Sequence, residues 1–109
     1  MSFTTLVQVH GEQRPNPDGT DRQLAIKSSR IGETLLLHHQ PESKAHPPML
    51  MVRNRKGITL GHIGEPEASE IISAMQRDVR LTAVIESMLE FPRSKASRRL
   101  VVRISGKAG

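Results

Sequence analysis

Apolar residues in this chain mostly come in short runs bounded by turn formers, and only residues 66–76 show a clear helical period. Thr4-Thr5-Leu6-Val7-Gln8-Val9 is rich in β-branched residues and reads as a first strand. Arg14-Pro15-Asn16-Pro17-Asp18-Gly19 is a dense turn signal. Thr20, with Gln23 three residues on, has the spacing of a capping box. It predicts a short helix from about Asp21 to Arg30, stopped at Gly32. Glu33 to Gln40 reads as a second strand, its Leu35-Leu36-Leu37 run being short for a helix. Pro41 and Pro47-Pro48 bracket a loop. Met49–Asn54 and Ile58–Ile63 are the third and fourth strands, joined in a hairpin through Arg55-Lys56-Gly57. Pro66 stands at a first helical position, Glu67 and Glu70 favour the positive end of the helix dipole, and Ala68, Ile71, Ile72 and Met75 share one face. Leu81–Met88 and Arg99–Ile104 complete the strands, with Glu90–Ser97 reading as a polar connection around Pro92.

Connections this short favour antiparallel pairing. The expected fold is α+β: an OB-like curled antiparallel β-barrel of about six strands with two short helices. An open sheet with both helices on one face is the competitor. At 109 residues the chain is one domain's length, with residues 105–109 expected to form a flexible tail. Phe3 and Phe91 are the only aromatic residues besides histidine, so the core must be aliphatic.

Charge refines this picture. The net charge is +5, and residues 1–76 hold eight basic and eight acidic residues. The excess lies wholly in residues 77–109, where eight Lys/Arg face Asp78, Glu86 and Glu90. In the last strand Leu100, Val102 and Ile104 share one face, while Arg99, Val101 and Arg103 share the other. A spacing of about 7 Å is expected between the two arginines, close to the ~6–7 Å between successive phosphates. Arg93, Lys95, Arg98 and Lys107 flank them. Such a stripe suits a phosphate backbone; it also suits an edge strand protected from aggregation by charge.

Other chemistries find little support. Without cysteine there is no disulfide, thiolate zinc site or cysteine nucleophile. His38 and His39 point to opposite faces of a strand, and His10, His46 and His62 show no metal-ligand spacing. Hydrogen-bonding histidines are the better reading than a zinc site assembled by folding. The serines lack a nucleophile-elbow context, and Gly57, Gly61 and Gly64 form no phosphate loop. Neither an enzyme nor a cofactor is expected. No apolar run approaches the ~20 residues of a membrane span, and the N-terminus lacks signal-peptide character, so cytoplasm is the expected location.

Val9-His10-Gly11-Glu12, Leu35-Leu36-Leu37-His38 and Leu60-Gly61-His62-Ile63, followed by the Ala68/Ile72 helix, together resemble a HIRAN domain over roughly residues 5–104. The resemblance implies an OB-like barrel and the family's best-understood function, capture of the free 3′-hydroxyl end of single-stranded DNA. It places the pocket at Glu12, Gln13 and Arg14, at the loop Ser43-Lys44-Ala45-His46-Pro47-Pro48, and at the turn Gly61-His62-Ile63. The expected partner is therefore nucleic acid, DNA before RNA, contacted by Gln13, Arg14, Lys44, His46, His62, Arg98, Arg99 and Arg103. In the loop, Ala45 and His46 stand where the family shows an aromatic residue and an aspartate. The alternative is accordingly a protein–protein interaction domain of the same fold that has lost DNA-end recognition, with a homodimer or another protein as partner.

Overall fold

The structure, a computed structural model, describes residues 2–39, 49–77, 79–91 and 93–108. Six strands and two helices follow one another as β1 (Ser2–Gln8), α1 (Arg22–Lys27), β2 (Thr34–His39), β3 (Leu50–Arg53), β4 (Thr59–Ile63), α2 (Glu67–Gln76), β5 (Val79–Phe91) and β6 (Ser94–Ala108). The strands pair antiparallel in the order β1-β6-β5-β2-β3-β4. The sheet curls into a half-barrel, so its two edge strands, β1 and β4, approach each other. They meet just beyond β1, where His10 N–H donates to the His62 carbonyl at 2.8 Å and His62 N–H donates to the His10 carbonyl at 2.9 Å. The fold is thus α+β and OB-like.

Alternation along the strands decides what the curl encloses. Val7 and Val9, Leu50 and Val52, Ala83 and Ile85, and Leu100, Val102 and Ile104 point inward and are buried. Each fully buried Leu or Ile contributes about 1.5–3 kcal/mol relative to exposure. Ile26 of α1 fills the barrel from one side, while Ala68, Ile71 and Ile72 of α2 join the same core.

Three boundaries differ from expectation. Helix α1 spans six residues, and its cap is Asp21, whose carboxylate accepts from the amides of Gln23 and Leu24. Thr20 is already committed, donating to Asp18 and accepting from Asn16. The last two strands are much longer than their apolar centres: Glu90 pairs with Arg98 and Phe91 with Ser94, so the supposed polar connection is the tip of a hairpin. A backbone ladder needs no apolar side chains where the arms face water. Residues 105–108 are strand rather than tail: Ser105, Gly106 and Lys107 pair with Thr4, Phe3 and Ser2 on one side and with Thr82, Leu81 and Arg80 on the other. Among the described residues no helix is long and apolar enough to cross a membrane.

Candidate functional site

The chain leaves β1 through a backbone handover. Val9 N–H still donates to Leu100 at 3.0 Å, but the next residue, His10, bonds to His62 instead. Gly11 then turns the chain with φ at +75°, and a Cβ there would stand 3.0 Å from His62 Nδ1 and 3.2 Å from Arg22 Nη1. Only glycine admits both the turn and this close approach. The turn is closed by Arg14 N–H donating to the Gly11 carbonyl at 3.1 Å.

Buried polar groups hold the turn in place. Arg22, 8% exposed, donates from Nη1 to the Gly11 carbonyl at 2.8 Å and from Nε to Asn16 Oδ1 at 2.6 Å. Asn16 in turn donates to the Thr59 carbonyl at 2.9 Å, fastening the loop to β4. Glu12, 3% exposed, accepts from Leu100 N–H at 2.9 Å. Gln23 spans from α1 to β6, donating to the carbonyls of Glu12 and Arg98 and accepting from Arg98 N–H at 2.6 Å. Every link is charge-assisted or to backbone, the neutral ones worth about 0.5–1.5 kcal/mol each and those to a charged group about 1.5–3 kcal/mol.

A cleft of about 220 Å³ opens beside this turn, lined by His10, Gly11, Glu12, Arg14, Phe91 and Arg99 among others. The Arg99 guanidinium lies 5.5 Å from the centre of the Phe91 ring, a cation–π contact. The His10 and His62 rings are 6.1 Å apart and tilted. Cross-strand partners share a face, so the row runs on from His62 to Met51 of β3 and His38 of β2.

Electrostatics at the turn are lopsided. Burial, reinforced by His10, Arg14 and Arg22, holds the His62 imidazole below its ordinary value. Burial and then the neighbouring Arg14 lower Arg22, although a guanidinium stays charged at neutral pH. Glu12 is pushed up by burial, against the opposing pull of the Leu100 amide, its own amide, Arg99 and His10. Positive groups therefore crowd one another around Gly11 while the nearest carboxyl is buried.

Of the residues expected from sequence, Gln13, Arg14 and Arg99 line this cleft, and His62 abuts it through Gly11. Gln13 also donates to Ser97 Oγ at 3.1 Å. Arg98 is not part of the lining; its backbone is held by Gln23 and its Nη1 donates to the Ser97 carbonyl. Arg103 lies apart. It leaves β6 four residues beyond Arg99, ~13 Å along a strand, which corrects the expected spacing of successive phosphates, and it pairs with Glu86 at 3.4 Å. Lys44 and His46 lie outside the described residues. Sequence reasoning missed His10 and Arg22 as members of the cluster. His10 stood in the Val9-His10-Gly11-Glu12 segment that carries the resemblance, and nothing in the sequence marked Arg22. Among the described residues no group of three or more His, Asp or Glu could hold a metal ion. A larger groove of about 480 Å³ between α1 and the β3–β4 turn mixes Asp21 and Glu33 with Arg55 and Lys56 and has no comparable convergence of one charge.

No family model matches the sequence, and neither does any curated protein. Solved structures do. A protein from Lactobacillus plantarum, determined in a structural genomics programme, superposes with a TM-score of 0.69 at 16% identity, covering 98% of this chain and 100% of that one. The HIRAN domain of human HLTF superposes with a TM-score of 0.68 at 12% identity, covering 94% of this chain and 74% of that one. The likeness is one of fold, and the barrel implied by the HIRAN resemblance is the barrel observed.

Proposed function

We propose that this chain is a nucleic-acid-binding module, acting on single-stranded or end-containing DNA through the cleft beside Gly11. One observation carries the reading: His10, Arg14, Arg22, His62 and Arg99, from four separate elements, converge on one turn whose only carboxyl is buried. The shared fold with a HIRAN domain supports it. Backbone phosphate is the natural ligand of such a cluster, because each contact releases condensed counterions. The row His10–His62–Met51–His38 provides a path across the strands for the rest of the oligonucleotide. Among the described residues Phe91 is the one aromatic ring in the cleft besides histidine, so affinity depends more on charge than on base stacking.

The test is fluorescence anisotropy with short labelled single strands, duplexes and recessed ends, repeated from about 50 to 200 mM salt. Binding that weakens with a log–log slope of roughly −0.7 for each phosphate contacted on a single strand supports the reading. No binding to any of these at the low-salt end rejects it.

A further inference from the structure

Burying a cation without an anion beside it is costly unless something else supplies negative charge. Arg22 is in that position. Its guanidinium meets two neutral acceptors, Asn16 Oδ1 and the Gly11 carbonyl, and among the described residues the one ion pair is Arg103–Glu86, on the outer face of the β5–β6 hairpin. Glu12 does not answer the charge: its carboxyl is buried and engaged with the Leu100 amide. Seen from the cleft, the turn thus presents His10, Arg14 and Arg99 around Gly11, with Arg22 behind it, and the one carboxyl of the lining, Glu12, is 3% exposed and held by the Leu100 amide.

That arrangement discriminates between the two kinds of strand end. A terminal hydroxyl is best recognised by an acceptor, and a carboxylate is the strong one. A terminal phosphate needs donors and positive charge, and as a monoester it carries about −1.5 to −2 at neutral pH, against about −1 for each diester along the chain. From this geometry we infer that the cleft takes the terminal phosphomonoester of a nucleic-acid strand, on the 5′ or the 3′ side, in preference to a hydroxyl end. This rests on the nucleic-acid reading above and reverses the end chemistry that the HIRAN resemblance implies. Arg14 and Arg99 grip the phosphate from the two walls, and Arg22 supplies the charge from beneath.

The experiment compares single strands of one sequence with 5′-phosphate, 3′-phosphate or hydroxyl ends at fixed low salt. A strand one nucleotide longer with hydroxyl ends serves as control, because it carries the same number of phosphates. One phosphorylated end should bind at least ~10-fold tighter than this control, the scale of one charge-assisted contact. Arg14→Gln and Arg99→Gln, both at accessible positions, should each remove most of that preference while leaving the circular dichroism spectrum unchanged. Equal binding of all ends, or a preference for hydroxyl ends, overturns the inference and leaves the broader reading standing. No binding to any strand overturns both.

Discussion

Arg99 and Arg103 leave the same face of the same strand, yet they inhabit different surroundings. Around Arg99 the chain has gathered His10, Arg14 and the Phe91 ring, because β1 ends there and its handover to β4 brings a third strand's side chains alongside. Around Arg103, β1 and β5 flank the strand, and Glu86, the extra residue of a bulge in β5, meets its charge at 3.4 Å with both side chains half-exposed. Such a surface pair is worth ~0–1 kcal/mol and is screened by salt. Two arginines on one stripe are therefore not equivalent: a carboxylate carried on a bulge of β5 neutralises one, and the open end of the barrel sets the other beside Arg14 and the Phe91 ring.

The severest way to break this contrast is to unfasten the barrel end. A Cβ at Gly61 would overlap Val9 Cγ1 and stand 2.6 Å from the His10 carbonyl, so Gly61→Ala should lose about 3 kcal/mol of stability, read from the urea midpoint. Arg103→Gln should stay within about 0.5 kcal/mol of the parent protein. Next in size is Glu12→Ala, which strands the buried Leu100 amide and should cost about 1–3 kcal/mol in the same measurement. Binding sharpens the comparison directly. Arg99→Gln should weaken oligonucleotide affinity by roughly 10-fold and flatten the salt slope by about 0.7, while Arg103→Gln changes affinity less than about twofold. Equal losses from the two variants would show that the stripe acts as a unit.

The smallest effect is in pH. Folding lowers the His62 value, so its contribution to stability is complete above 6.5 and is lost as pH falls through the folded-state value. Glu12 has the opposite sign: raised by burial, it contributes fully below 4.5 and loses that contribution as pH rises through its folded-state value. Urea titrations between these limits should show the His62 loss removed by His62→Gln and the Glu12 loss removed by Glu12→Gln. Protonation of His62 beside His10, Arg14 and Arg22 adds positive charge to the cleft, so oligonucleotide binding should tighten on acidification in the parent protein and less so in His62→Gln.

Much of the barrel was legible because its strands bury one face, and period-two alternation in residues such as Leu100, Val102 and Ile104 needs no knowledge of neighbours. The hairpin beyond Met88 was not, since Glu90 and Arg98 give no apolar alternation and Pro92 reads as a break. Thr20 and Gln23 have the spacing of a capping box, but bonds to Asp18 and Asn16 occupy the Thr20 hydroxyl and leave the capping to Asp21. Arg14 and His62 emerged through resemblance to a family pattern. Arg22 did not, because a buried guanidinium in a short helix carries no periodic signature; what gives it meaning is the carbonyl of Gly11, eleven residues earlier.

The two histidines at the mouth lie with their rings 6.1 Å apart, while their peptide groups clasp the two sheet edges. If the proposed ligand sits against those rings, occupancy and closure run through the same two residues. Deuterium uptake at the His10 and His62 amides would then act as a gauge of breathing at the seam, slowing when the mouth is filled while amides along the centre of β6 keep their own pace.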